Sequence, residues 1–270
     1  MKFIPAIVFL FFCLSAKADY VNIYYNTTSD GYQVLVDNDQ YCPVTIKFDF
    51  SLKNLKSTND VENLVVIPAR VKGHVVTNFV VKNARSSYKF GMKTRSNLGD
   101  HTIKSYDRDF QYHLPFKTSK NVLIGQGYNG RFTHHNENAL DFDLRVGEGV
   151  YAARGGVVIE VEEKNHRNCT NNYKCAEYNN YILVYHDDGT FAEYVHLKKN
   201  GSAVAVGEKV ETGQLIGYSG KTGFASGPHL HFAIYLQELG GRETVRTKFL
   251  VNDGTKLASL REGESYRKDY

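Results

Sequence analysis

The chain has 270 residues, of which 42% are hydrophobic and 23% charged, a composition typical of a soluble globular protein with one or two domains. The formal net charge is only +4, so the sequence gives no case for nucleic acid as a partner. The chain contains 19 Tyr and 16 Phe but no Trp, and many Tyr residues beside Val and Ile favour strands over helices.

The first 18 residues predict a secretory signal peptide. Lys2 gives a short basic start, residues Ile4 to Leu14 form an apolar run, and Ala16-Lys17-Ala18 is a small-x-small cleavage site. The run is too short to remain as a comfortable membrane-spanning helix. Cleavage after Ala18 removes two lysines and no acid, which lowers the formal charge from +4 to +2. We therefore expect a secreted or periplasmic protein without stable membrane insertion after cleavage.

Residues 19–110 predict a small all-β, sandwich-like domain of unknown role. Short apolar stretches, such as residues 32–36, 44–48 and 75–81, alternate with clusters of Asn, Asp, Ser and Gly, and no segment of useful length has helical periodicity. No catalytic pattern stands out in this region. The polar, charged segment 95–110 is the expected boundary with the next domain.

Residues 111–270 predict a second all-β domain. Strands are expected at residues 149–162, 180–186, 191–197, 214–218 and 229–236, separated by Gly-containing turns. This regular spacing favours an antiparallel sheet over β-α-β units. Residues 241–270 are expected to return to the domain as strand, over residues 245–251 and 260–266.

Three cysteines remain after cleavage of the signal peptide, namely Cys42, Cys169 and Cys175. Export permits disulfides, and Cys169 and Cys175 lie close enough in a polar stretch to staple one loop. Cys42 is then the odd cysteine. A metal site made from these cysteines is disfavoured, because no His cluster lies near them at zinc-finger spacing.

His229 and His231 lie two residues apart on a predicted strand. Because side chains alternate along a strand, both imidazoles should point to one face, while Leu230 and Phe232 point to a core. Two protonated imidazoles on one face repel each other, and a shared metal or a polarised water resolves that conflict. Two unrelated surface histidines remain the alternative.

A second candidate element runs from His134 to Asp143. It contains imidazoles followed by Asp141, which enters an apolar strand, and buried acids are rare unless paired or bound to metal. Asp143 shares the predicted face of Asp141 and is its rival, and His135 is the rival of His134. A third element places His196 at a strand edge, where a single His is more often structural.

Together these elements resemble the lysostaphin/LytM-type zinc endopeptidases. The matching blocks cover residues 112–236, close to half of the chain. They include Gln126-Gly127-Tyr128-Asn129-Gly130, Ala139-Leu140-Asp141-Phe142, Tyr194-Val195-His196-Leu197 and Gly227-Pro228-His229-Leu230-His231-Phe232.

The resemblance implies a zinc site and a set of roles. His134, Asp141 and His231 correspond to the zinc ligands, and His196 and His229 to the pair that handles water activation and transition-state charge. It also implies a compact antiparallel fold with the site in a groove, and peptidoglycan peptides as substrate. Separately, we expect a monomer. Three protein ligands with one open position are typical of catalytic zinc, which acidifies a bound water.

Two departures from the family pattern bear on this interpretation. His134 and His135 lie seven and six residues before Asp141, whereas the compact form of the family has a spacing of four. The insertion around Cys169 and Cys175 lengthens one groove loop.

The alternative function is a catalytically inactive relative that binds cell wall or activates an amidase. Such relatives usually lack a ligand, whereas here all five positions are filled.

Overall fold

The computed structural model describes residues 20–59, 63–118, 120–170 and 173–270. The expected signal peptide, residues 1–18, lies outside the described residues. The described chain consists of strands, turns and one 3₁₀ helix, Tyr173–Tyr178, so the prediction of an all-β protein is confirmed. None of its helices has the length and apolar character needed to cross a bilayer.

The N-terminal region forms two sheets that pack against each other. One sheet has the strand order β1-β2-β6-β4, and the other has the order β5-β3-β7. The rings of Phe50 on β3 and Phe79 on β6 lie 5.0 Å apart and join the two sheets. The strands are β1 (Val21–Thr27), β2 (Gly31–Asn38), β3 (Val44–Lys53), β4 (Leu55–Ser57), β5 (Leu64–Ile67), β6 (Val71–Val81) and β7 (Lys89–Leu98).

The C-terminal region is built on one large sheet, with smaller sheets packed beside it. Its strands are β8 (Gln111–His113), β9 (Val122–Gln126), β10 (Ala139–Phe142), β11 (Gly149–Tyr151), β12 (Gly156–Glu162), β13 (Asn168–Cys169), β14 (Tyr181–Tyr185), β15 (Thr190–Val195), β16 (Leu197–Ser202), β17 (Lys209–Val210), β18 (Leu215–Ser219), β19 (Gly223–Phe224), β20 (Leu230–Glu238), β21 (Gly241–Val245), β22 (Lys248–Val251), β23 (Lys256–Ala258) and β24 (Ser265–Tyr266). The large sheet has the order β17-β12-β14-β15-β20-β10-β9-β24, with β21 paired to β20.

Two expected strands are divided in the structure. The single strand predicted over 149–162 is wrong, because the chain leaves one sheet after β11 and enters the large sheet at β12. Ala152 and Ala153, at this crossing, are fully buried, so continuous apolar character did not mean continuous strand. The strand expected over 245–251 is likewise divided between β21 and β22, and within 260–266 only β24 is strand.

The central strand β20 is buried on both faces. Leu230, Phe232 and Ile234 enter the main core of the C-terminal region, as the alternation of side chains predicts. On the opposite face, Ala233 and Tyr235 are also buried, with 1% and 6% of their surface exposed. The sequence pattern did not predict that the face carrying the histidines would also be buried at these positions.

The N-terminal region covers that second face. Phe191 and Tyr235 belong to the same buried cluster as Val44 and Phe48. The side chain of Asn97 also donates a hydrogen bond of 2.8 Å to the carbonyl of Glu238. Residues 95–98 of the expected boundary are part of β7, so the connection is 99–110. The division into 19–110 and 111–270 stays a prediction, and the two parts share a core.

Candidate metal centre

Asp141 and His231 lie on neighbouring strands of the large sheet. Strand β10 pairs with β20 in an antiparallel register that places Asp141 directly opposite His231. Directly opposed residues of a pair point to the same face. His134 reaches them from the loop between β9 and β10, where Glu137 closes a turn by donating its backbone N–H to the His134 carbonyl.

Three ligand atoms of these residues form a nearly equilateral triangle. The Nδ1 atom of His231 lies 3.0 Å from Oδ1 of Asp141, and Nε2 of His134 lies 3.2 Å from the same oxygen. The two imidazole nitrogens are 3.2 Å apart. Bond lengths of about 2.0–2.1 Å in a tetrahedral zinc site place neighbouring ligand atoms about 3.3 Å apart. The arrangement therefore fits a zinc ion held by two imidazoles and one carboxylate.

A second set of contacts orients each of the three side chains. His134 donates from Nδ1 to the Gly127 carbonyl at 3.0 Å, which turns its Nε2 toward the cluster. The amide of Gln126 donates to Oδ2 of Asp141 at 3.1 Å, leaving Oδ1 for the triangle. Nε2 of His231 faces Oε1 of Glu193 at 3.5 Å. Such partners set the tautomer and direction of metal-binding groups.

The two rival residues lie outside the cluster. His134 is fully buried, whereas the adjacent His135 is exposed to solvent. Asp143 is exposed on the wall of the groove, and the group able to hold a metal contains Asp141. The geometry favours His134 and Asp141, and their role as ligands stays a prediction.

His196 and His229 form a pair beside the triangle, with ring centroids 4.5 Å apart. Each ring is tied to a backbone carbonyl: Nδ1 of His196 donates to Thr222 at 2.7 Å, and Nδ1 of His229 donates to Gly227 at 2.9 Å. Because a carbonyl only accepts, each Nδ1 carries a proton, and each Nε2 points away from its carbonyl. Nε2 of His229 lies 3.8 Å from Oδ1 of Asp141. His196 has a φ of 66°, a strained conformation for a residue other than glycine, of a kind that clusters at functional sites.

The charges of the cluster are strongly coupled. Burial works against ionisation of Asp141, but hydrogen bonds from His134 and His231 outweigh it and lower the pKa of Asp141 well below its usual range. Burial also opposes charge on His231, yet hydrogen bonds to Asp141 and Glu193 raise its pKa to about 10. For His196, burial and the nearby imidazoles lower the pKa to about 3. Asp141 and His231 thus stabilise each other's charged forms, whereas the surroundings of His196 favour its neutral form.

The cluster lies in a groove whose lining includes residues of the disulfide-bonded loop and the exposed ring of Phe132. The disulfide between Cys169 and Cys175 staples one wall, as predicted, and β13 beside it pairs in parallel with β19. On the groove rim, Phe132 exposes 81% of its surface. Among the described residues, the N-terminal region contributes none to the groove lining. Cys42, the odd cysteine, is a buried free thiol in the N-terminal core.

Sequence reasoning missed three polar residues of the site: Gln126, Glu193 and Arg242. Arg242 donates to Glu193 at 2.7 Å and to Glu137 at 2.9 Å. Burial tends to raise the pKa of Glu193, but its contacts with His231 and Arg242 bring that pKa down to about 2. For Glu193, the one signal in the sequence was a charged residue within an otherwise apolar predicted strand. No feature of the sequence pointed to Arg242.

Comparison with known proteins supports the same chemistry. Residues 135–244 match the model of peptidase family M23, a segment that contains Asp141, His196, His229 and His231 and begins directly after His134. An uncharacterised metalloprotease of Buchnera aphidicola is 27% identical over 229 residues, covering 80% of this chain and 54% of the relative. The peptidoglycan DD-endopeptidase ShyA of Vibrio cholerae is 36% identical over 100 residues, covering 37% of this chain and 20% of that protein.

Among solved structures, lysostaphin of Staphylococcus simulans is similar, with 31% identity, a TM-score of 0.35, and coverage of 43% of this chain and 42% of that one. The chain spans about half the length of the Buchnera relative and one fifth of ShyA. Residues 135–244 thus match peptidase family M23, and this part of the chain is similar to the lysostaphin- and ShyA-type peptidoglycan endopeptidases.

Proposed function

We propose that this protein is a zinc-dependent endopeptidase that acts outside the cytoplasm and hydrolyses peptide bonds in peptidoglycan stem peptides or cross-bridges. The observation that carries the proposal is the triangle of His134 Nε2, Asp141 Oδ1 and His231 Nδ1, with sides of 3.0–3.2 Å, next to the pair His196 and His229. Catalytic zinc sites commonly have three protein ligands and one position for water or substrate.

The five residues have two different roles in the proposed hydrolysis: three bind the metal and two transfer protons. His134, Asp141 and His231 would hold the zinc ion, which would supply Lewis-acid chemistry and an acidified water. The Nε2 atoms of His196 and His229, beside the triangle, are the groups that can accept the proton of that water. In protonated form, the same atoms can donate a hydrogen bond to the developing oxyanion. The backbone carbonyls of Thr222 and Gly227 hold both rings in place for these roles.

The choice of substrate is supported by the relatives and by the form of the site. The similar proteins include a peptidoglycan DD-endopeptidase and lysostaphin. The groove is partly open to solvent, and its lining includes an exposed aromatic ring, Phe132. An open groove admits an extended peptide within a large polymer, whereas an enclosed cavity would admit only short fragments. Action on peptidoglycan agrees with the secretory signal expected from residues 1–18.

The proposal is tested by incubating the purified mature protein with peptidoglycans of several cross-link types and identifying the products by mass spectrometry. We expect cleaved stem peptides or cross-bridges, loss of cleavage with a zinc chelator, and recovery on adding zinc. Release of products that appear only when an amidase is added would instead establish the amidase-activating alternative.

Two neighbouring histidines provide a matched pair of variants. His134→Ala should abolish zinc binding and cleavage, since the buried ring faces the triangle. His135→Ala, one residue away, should leave both unchanged because its side chain is exposed. The reverse result would transfer the ligand role to His135 and overturn the assignment.

A further inference from the structure

Glu193 lies behind His231 on the same face of the large sheet. Strand β15 pairs with β20 so that Val195 is opposite His231 and Glu193 is opposite Ala233. Glu193 is therefore the diagonal neighbour of His231. The side chain of Ala233 is a single methyl group, and so the Glu193 carboxylate has room to lean over it toward the His231 ring. The resulting distance from Oε1 to Nε2 of His231 is 3.5 Å.

The contact uses the one ring nitrogen of His231 that does not face the triangle. Nδ1 of His231 points to Asp141 at 3.0 Å, and Nε2 points away from it to Glu193. An imidazole that binds a metal through Nδ1 carries its proton on Nε2, where a carboxylate can accept it. The other two candidate ligands have neutral partners, the Gly127 carbonyl and the Gln126 amide. Glu193 is thus the charged partner among the three.

Arg242 holds Glu193 in this position. It comes from β21, and its guanidinium lies 5.0 Å from the centre of the Tyr235 ring. One nitrogen donates to Oε2 of Glu193 at 2.7 Å, which leaves Oε1 for His231. The other donates to Glu137 at 2.9 Å, and Glu137 closes the turn that carries His134. One arginine therefore joins the supports of two candidate ligands.

We propose that Glu193 and Arg242 are positioning residues for the metal centre: Glu193 accepts the Nε2 proton of His231, and Arg242 fixes Glu193 and the turn that bears His134. This inference rests on the proposed function, because it assumes that His134 and His231 bind the metal. An ion pair that only stabilised the sheet would need no contact with His231. Here the pair contacts His231 directly and reaches the turn of His134 through Glu137.

The test measures zinc affinity of the full mature chain by competition with a chromophoric chelator, which requires no substrate. Glu193→Ala should weaken zinc binding about 10–100-fold, the usual effect of removing an outer partner of a metal-binding imidazole. Glu193→Gln, nearly equal in size, should weaken it less, since its amide oxygen still accepts the proton but lacks the charge. Arg242→Ala should weaken it as well, and combining it with Glu193→Ala should add little.

Arg246→Ala is the matched control. Arg246 lies four residues from Arg242 and donates to Asn138, but it contacts neither Glu193 nor His231 in the described structure. We expect no change in zinc affinity for this variant. The absorption spectrum of the cobalt-loaded protein, which reports ligand geometry, should change for Glu193→Gln and stay constant for Arg246→Ala.

The outcomes separate this inference from the proposed function. If the unmodified chain binds no zinc, the proposed function fails, and this inference fails with it. If the chain binds zinc and both Glu193 variants bind it equally well, the positioning role alone is overturned. Should Glu193→Ala unfold, Glu193→Gln decides the question, with thermal unfolding followed by circular dichroism to verify that it is folded.

Discussion

The two halves of one face of the large sheet differ in what covers them. On one half, Asp141 and His231 face an open groove together with Glu193. On the other half, Phe191 and Tyr235 are stacked with their ring centroids 5.4 Å apart and lie under the N-terminal region. Both halves include strands β15 and β20, and β10 adds Asp141 to the groove half.

The difference shows that one strand can contribute both to an apolar core and to the candidate metal centre. Glu193 follows Phe191 by two residues, so both side chains point to the same face. Apolar burial under the N-terminal region stabilises the sheet beneath the groove. The polar half keeps its charged groups in fixed positions through hydrogen bonds rather than through apolar packing. We therefore expect substitutions in the two halves to affect different measurements.

The largest effect is expected for His231→Ala. Loss of one of three metal-binding groups should weaken zinc binding by more than about 100-fold, since even outer partners cost 10–100-fold. Cleavage of peptidoglycan should fall to background. Isothermal titration with zinc and a digestion assay measure the two quantities. An active variant would refute the metal assignment for the polar half.

Phe191→Ala probes the covered half. The ring is fully buried against Tyr235 and Tyr185, and its removal should lower the free energy of unfolding by about 4 kcal/mol. Zinc affinity of the folded fraction should change little. Urea denaturation and zinc titration at low temperature test this contrast, and Phe191→Leu serves as the milder variant. A selective loss of zinc affinity would show that the two halves are not separable.

The turn at the end of the covered half makes stability depend on pH. Asp188 accepts hydrogen bonds from Arg154 at 2.6 Å and from the backbone of Asp107 in the connection 99–110. Burial opposes its ionisation, but the bonds from Thr190 and Arg154 lower its pKa. Its contribution is therefore present above the ordinary carboxyl pKa and is lost as pH falls through the lowered value.

Asp188→Asn should lower the free energy of unfolding by about 2 kcal/mol at neutral pH, because it removes one partner of a mostly buried ion pair. The difference from the unmodified protein should shrink in acid, as pH falls below the ordinary carboxyl pKa and through the lowered pKa of Asp188. Denaturation curves at neutral pH and at about pH 3 measure both values. An equal difference at both pH values would contradict the sign of the shift.

The smallest effect on stability is expected in the groove wall. Replacing both Cys169 and Cys175 by Ser should lower the free energy of unfolding by about 1 kcal/mol. The chain-entropy estimate for so short a loop is about 2 kcal/mol, but the loop can open locally without unfolding the sheet. Substrate affinity should suffer more than turnover, because the loop lines the groove without touching the triangle. A fall in turnover at unchanged KM would assign the loop a catalytic part.

Local sequence pattern predicted some features of the fold and of the candidate site, and the family resemblance supplied the roles of the site residues. Alternation along a strand is a local property, so it predicted that His231 faces away from the core that receives Leu230 and Phe232. The close spacing of Cys169 and Cys175 likewise predicted their disulfide. The all-β class followed from short apolar stretches without helical periodicity. These features depend on residues that are neighbours in the chain.

Tertiary structure decided what depends on residues far apart in the chain. Pattern alone left His134 and His135 open, and the register of β10 with β20, together with the fold of the β9–β10 loop, brings His134 to the triangle. The roles of Glu193 and Arg242 depend on long-range contacts, and the single strand expected over 149–162 is divided between two sheets. Burial of the face around Tyr235 likewise requires the N-terminal region, because a strand pattern records which side chains share a face and not what covers that face.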